Sequence, residues 1–208
     1  MLDVKSEQNA ARYGLRRLLP ILVAGVFVCV GLLFAPVERV DAARVDPAAK
    51  FMQRVANDLQ AAGRLGSRNA FHKSIQKYAD ISYIGTVSLG VYLPKLKKSK
   101  KKDYYNGVKR FMAKYFAIQS RNYKVTKAQI LSQSKKQGRN ILVDSRVYLS
   151  NGKSYKVTWK LVRSGKSYRV QDARVLGFWL TPFLRDAFVG YVKQNRGNVN
   201  SLIVALKR

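Results

Sequence analysis

Apolar residues recur every three or four positions from about residue 47 to residue 122, and mostly every second position from there to about residue 170. Asp46-Pro47 sets a capping carboxylate before a proline at the first helical position, and Phe51, Val55 and Leu59 follow at intervals of four until Gly63. This spacing predicts a first helix. Ser67 can cap a second, with Phe71, Ile75 and Tyr78 on one face, and "DISYIGTVSLG" reads as a third, short and largely apolar. In the fourth and longest, Tyr104, Val108, Phe111, Tyr115 and Ile118 form one stripe, widened by Met112 and Phe116. A stripe this broad normally faces a core.

After Asn122 the period becomes two. Ile141, Val143, Val147 and Leu149 alternate with polar residues, as do Tyr155, Val157, Trp159 and Leu161 beyond "SNGK". All of these positions are odd, so both strands face the core together only if the loop between them holds an odd number of residues. A loop of Ser150, Asn151 and Gly152, with Gly152 left-handed, satisfies this and sets Val147 opposite Tyr155 and Val143 opposite Trp159. The next strand carries Tyr168 and Val170 at even positions, so the connection near Gly165 should be even in length. Residues 123 to 133 are expected to begin this antiparallel meander. Pro182 is expected to start a helix through Phe183, Phe188 and Val192 to Asn195, and "NVNSLIVALKR" gives a short last one. Helices before and after an antiparallel sheet make an α+β fold.

Composition narrows the partners. The chain holds 40 Lys+Arg against 11 Asp+Glu, a net charge of +29, yet 47% of its residues are apolar, enough to bury a core. Such charge attracts polyanions without saying which. The compartment is read from the front: Arg12, Arg16 and Arg17 precede "LLPILVAGVFVCVGLLFAP", and Val40 and Ala42 fit a cleavage site. Residues 1–42 therefore read as a signal peptide, and 43–208 as a single domain. The alternative is an uncleaved membrane anchor, which also leaves the body outside the cytoplasm. Cys29, the only cysteine, lies inside this segment, so the exported body stands without disulfides. Export also argues against nucleic acid as a partner.

Catalytic parts are scarce. Beyond residue 42 the chain keeps one histidine, His72, seven aspartates and neither cysteine nor glutamate. No metal-ligand spacing or phosphate-cradling glycine loop occurs, so no cofactor is expected and the protein reads as a non-enzyme. Asp172 shares the parity of Tyr168 and Val170 and points to the apolar side unless a bulge intervenes. It is either a carboxylate satisfied by backbone donors or the buried base of a small hydrolase or isomerase.

What the chain has in abundance is apolar and aromatic side chains on both helices and strands. Tyr83, Ile84, Val87, Leu89, Tyr92, Phe111, Tyr115, Val147, Val157, Trp159, Phe178, Trp179, Phe183 and Phe188 either fill a dry core, as in a membrane-anchored interaction module, or line a cavity for acyl chains. Lys95, Lys97, Lys98, Lys100, Lys101 and Lys102 put six lysines into eight positions, a candidate contact for an anionic membrane surface or an acidic partner.

The back half carries a family likeness. "SYRVQDARVLGFWL" resembles a segment of the MlaC, or toluene-tolerance, family through Tyr168, Arg169, Val170, Asp172, Gly177 and Leu180. Arg185 and Phe188 match its following Arg-x-x-Phe, and Gly197, Leu202, Ile203 and Leu206 its closing motif after a one-residue shift. Upstream, Tyr78, Asp80, Ile81, Leu89, Gly90 and Tyr92 match its Phe-Asp-Leu…Leu-Gly-x-Tyr element. Leu93 and Pro94 depart from the Trp and basic residue usual there. The resemblance implies an NTF2-like cone, a curved antiparallel sheet covered by N- and C-terminal helices around an apolar cavity. It also implies a periplasmic carrier of phospholipid, or of a hopanoid in one branch. Such carriers move lipid between an inner-membrane ABC-type lipid transporter complex and an outer-membrane lipoprotein complex.

Overall fold

A computed structural model describes residues 46–131 and 133–207. The signal segment expected over residues 1–42 lies outside them. Helix α1 (Pro47–Leu65) begins where the sequence places it: Asp46 accepts from the backbone N–H groups of Ala48 at 2.8 Å and Ala49 at 3.2 Å, with Pro47 in the first turn. It passes through Gly63 and ends at Gly66, which takes the left-handed conformation at φ 57°. Helices α2 (Arg68–Tyr78) and α3 (Ile81–Leu89) are capped by Ser67 and Asp80. Two 3-10 turns, Gly90–Lys95 and Lys98–Lys100, lead into α4 (Lys101–Asn122).

The strands are β1 (Val125–Ile130), β2 (Lys135–Gln137), β3 (Asn140–Leu149), β4 (Ser154–Ser164), β5 (Ser167–Val175) and β6 (Phe178–Trp179). They form one antiparallel sheet in the order β1-β3-β4-β5-β6, with β2 pairing with β3 beyond β1. The β3–β4 register places Val147 opposite Tyr155 and Val143 opposite Trp159, around a loop of Ser150, Asn151 and Gly152. Gly152 is left-handed at φ 79°, as the parity argument requires. The β4–β5 turn is even, as its parity requires: Ser164 pairs with Ser167 across Gly165 and Lys166. Bulges at Thr126 in β1 and Gln171 in β5 bend the sheet, which stays open. Helices α5 (Leu180–Gln194) and α6 (Val199–Lys207) complete the α+β fold.

Two helical stripes differ from the periodicity reading. On α4, Tyr115 and Ile118 are exposed, and the buried positions past Val108 are Ala113 and Ala117, which pack with Ala62, Phe71 and Ile75. Small residues let α4 lie close to α1 and α2, so the bulkier side chains turn outward. On α5, Pro182 sits in the first turn rather than starting the helix, and Phe183 is exposed. The buried stripe is Thr181, Leu184, Phe188 and Val192. The short strands β2 and β6 carry no alternation long enough to be read.

The interior has three regions. α3, α4, α5 and α6 close around Leu89, Tyr104, Val108, Phe188 and Leu202. α1 lies on the sheet through Phe51, Met52, Val143, Leu161 and Tyr168, and the third cluster ties α1 and α2 to α4. Leu59 joins the second region to the third, and Ala79 and Met112 join the first to the third, but a gap remains between the helices and the open sheet.

Candidate functional site

That gap is a cavity of about 340 Å³. Its helical side comes from α1 (Val55, Leu59), α2 (Phe71, Ile75, Tyr78), α4 (Met112, Phe116) and α5 (Leu180, Leu184). Val147, Val157, Trp159, Val170, Ala173 and Val175 supply the sheet side, and the wall is almost wholly apolar. A core packed solid, the alternative left open by the sequence, is not what the structure shows.

Polar groups bordering the cavity find partners on the wall or just behind it. Trp159 Nε1 donates to Ser145 Oγ at 2.8 Å, and Ser145 Oγ donates to the Val157 carbonyl at 3.4 Å. Tyr78 Oη donates to Asp58 at 2.7 Å, and Gln171 Nε2 donates to Asp80 at 3.0 Å. The Tyr78 hydroxyl, with Lys77, holds the Asp58 carboxyl below its ordinary pKa against the opposing effect of burial. Among the described residues, the one buried side-chain polar atom without a partner is Ser88 Oγ, which is not on this wall. The buried polar atoms of the wall are thus paired and the surface left to the hollow is almost wholly apolar, the arrangement a hydrocarbon ligand needs.

The bulge at Gln171 decides what Asp172 does. Val170 pairs with Leu161 and Asp172 with Lys160, so the extra residue reverses the alternation, and Ala173 and Val175 take the inward positions. Asp172 Oδ1 accepts from the N–H groups of Ala173 at 2.8 Å and Thr181 at 3.0 Å, which fastens the start of α5 to β5. Asp172 is buried and borders the cavity, with its Oδ1 engaged by these two backbone donors. His72 lies in a separate groove between α2, α4 and α6, where burial, Lys109 and Arg110 push its pKa down. No group of three His, Cys, Asp or Glu that could hold a metal occurs among the described residues.

Of the residues expected to face lipid, Ile84, Val147, Val157 and Trp159 line the cavity. Leu89 and Phe188 are buried in the helical core, with Tyr83, Tyr92 and Phe111 packed against it, and Val87 is half-buried on α3. Tyr115 sits on the α2–α4–α6 groove. Trp179 stacks against Arg174, and Phe178 and Phe183 stand exposed beside the cavity's α5 end. Most of the helical wall, Val55, Leu59, Phe71 and Ile75, reads in the sequence as ordinary core stripe. Nothing in periodicity separates a side chain facing a hollow from one facing a neighbour.

The lysine run is ordered by one anchor, Leu96, which is buried while Lys95, Lys97, Lys98, Lys100, Lys101 and Lys102 are exposed. None of the three ion pairs among the described residues, Lys77–Asp58, Lys156–Asp144 and Lys207–Asp103, uses these six. None of them lines the cavity either. Lys95 Nζ instead sits above the Tyr92 ring, 5.4 Å from its centre.

Comparison with known proteins agrees with this geometry. The family model described as MlaC protein matches residues 47–208. The chain belongs to the MlaC family. No curated protein sequence matches it. A solved structure of similar fold is the phospholipid-binding protein from Ralstonia solanacearum in complex with a phospholipid. It has a TM-score of 0.62 and 18% identity, covering 77% of this chain and 94% of that one. At this identity the likeness concerns the fold. MlaC proteins are periplasmic, and no helix among the described residues of this MlaC chain is long and apolar enough to cross a membrane.

Proposed function

We propose that this MlaC-family protein is a periplasmic, non-enzymatic lipid carrier, exported by the signal peptide at residues 1–42. It holds the acyl chains of a phospholipid in the cavity and moves them between an inner-membrane ABC-type transporter complex and an outer-membrane lipoprotein complex. A hopanoid is the second cargo to test. The carrying observation is the cavity itself: about 340 Å³, apolar on its helical and sheet sides, with its buried polar atoms already paired. The bound phospholipid of the Ralstonia protein supports the same reading.

The energetics suit a shuttle. Each methylene removed from water is worth about 0.8 kcal/mol, so a carrier without a cavity could not carry a long chain through an aqueous space. A chain moving from bilayer to cavity exchanges one hydrocarbon environment for another, so loading and release both stay near balance. The unpaired lysines from Lys95 to Lys102 act at longer range, drawing the carrier to anionic headgroups. Each charge near the surface contributes about 1 kcal/mol, an effect that salt screens. Replacing the six with Gln should weaken binding to anionic vesicles at low salt, and equal binding would remove this role.

The deciding experiment is native mass spectrometry of the exported protein, followed by organic extraction. Stoichiometric phospholipid or hopanoid names the cargo. A bare protein that also takes up no lipid when it is offered in detergent sinks the carrier reading.

A further inference from the structure

The cavity has a continuation on the surface. Side chains directly opposite in neighbouring antiparallel strands stand on the same face, and the register makes Ser145, Val157, Val175 and Phe178 one row across β3, β4, β5 and β6. The first three line the cavity. The fourth, on the edge strand, is 77% exposed. The apolar floor of the hollow therefore runs out from under the helices and ends in water at Phe178.

The turn that carries it is built against local preference. Leu176 and Gly177 join β5 to β6 with φ of 52° and 88°. Two positive φ values in a two-residue hairpin favour Asn-Gly or Gly-Gly, and leucine there is strained. Leu176 is nevertheless 68% exposed, so no packing offsets the strain, and Phe183 adds a half-exposed ring on the first turn of α5. On the opposite face Arg174 lies over the Trp179 ring at 5.2 Å, a cation and an indole suited to the level of lipid headgroups.

We propose that the β5–β6 hairpin is a bilayer-inserting element: Leu176 and Phe178, with Phe183, enter the outer hydrocarbon of an anionic membrane and join it to the cavity floor. The inference rests on the carrier reading and names the route by which chains enter. A two-residue turn is a protrusion, which penetrates fluid hydrocarbon without needing a shaped pocket. Charge favours an anionic bilayer, since residues 145–208 hold thirteen Lys and Arg against two acids, Asp172 and Asp186, and only Lys156 and Lys207 of the thirteen form ion pairs among the described residues, with Asp144 and Asp103. Asp172 is already engaged by two backbone N–H groups.

The test uses the exported protein with phosphatidylethanolamine–phosphatidylglycerol vesicles and two variants, Leu176→Asn and the double variant L176N/F178S. Three quantities are read: vesicle affinity by co-flotation, thermal midpoint, and lipid taken up from detergent. Leu176→Asn should melt at the same temperature as wild type or higher, because Asn tolerates the left-handed region, while binding vesicles more weakly. The double variant should lose at least tenfold in vesicle affinity and still load lipid from detergent. Unchanged vesicle affinity, which is also the result if the hairpin seats in a protein partner, overturns the proposal. So does failure of the double variant to load from detergent while wild type loads, since the residues would then belong to the cavity. A wild type that never loads refutes the carrier reading instead, and hairpin-dependent vesicle binding would still support insertion.

Discussion

Removing the hydroxyl of Ser145 should reveal how tightly the cavity wall keeps its polar atoms to itself. Ser145 is 1% exposed, and its Oγ is the acceptor for Trp159 Nε1 at 2.8 Å. In Ser145→Ala the indole N–H faces an apolar hollow without an acceptor, at a cost of about 1–3 kcal/mol. The hydroxyl's other bond, to the Val157 carbonyl, is long at 3.4 Å and contributes little. The same substitution made in a Trp159→Phe background removes nothing that is still needed, so it should be close to neutral. The double-mutant cycle over S145A and W159F should therefore show a coupling of about 1–2 kcal/mol. Urea unfolding of the four proteins measures it. In a domain of this size each kcal/mol also moves the thermal midpoint by about 2–4 °C. If S145A costs the same in both backgrounds, the hydrogen bond is not what holds the indole, and the account of a self-satisfied wall fails.

Ala173→Phe should drive a ring into the hollow beside Trp159 and lower co-purifying lipid well below one per protein, read by native mass spectrometry; full occupancy would mean the chains lie elsewhere. Gly107→Ala should destabilise by about 1–3 kcal/mol, since the added Cβ would lie 2.8 Å from Leu206 Cβ. That loss should outweigh the roughly 1 kcal/mol that alanine gains as a helix former, and a higher urea midpoint would refute the close α4–α6 contact. His72 has a lowered folded pKa, so the unfolded chain binds its proton more readily and stability should fall as pH drops below about 6.5. His72→Gln should flatten the thermal midpoint between pH 7 and 5, whereas an unchanged slope assigns the effect to other groups.

The sequence made the skeleton legible where local rules act alone. Asp46-Pro47, Ser67 and Asp80 cap the helices as their chemistry requires, and parity fixed the three-residue loop ending at Gly152 and the even turn at Gly165. It failed where one element answers to another. Ala113 and Ala117 are buried because α1 and α2 come close, and Tyr115 and Phe183 are exposed because smaller neighbours hold the contact. The bulge at Gln171 breaks the alternation past Val170 and brings Ala173 and Val175 to the cavity wall. The cavity was only partly legible for the same reason: Val55 and Ile75 have core spacing whether they meet a side chain or a hollow.

Gln171 and Val170 also set an order on assembly. The N–H of Asp80, between α2 and α3, donates to the Val170 carbonyl at 2.8 Å, and its carboxylate accepts from Gln171 across 91 residues of chain. Contacts so distant in sequence slow folding, because the intervening chain must be gathered first. In a polypeptide delivered from its N-terminus, α1 and α2 can pack on α4 early, but the parts of α2 and α3 that meet β5 stay uncovered until it arrives. For that interval the future cavity wall is bare apolar surface, exposed to whatever holds unfolded chains in the same compartment.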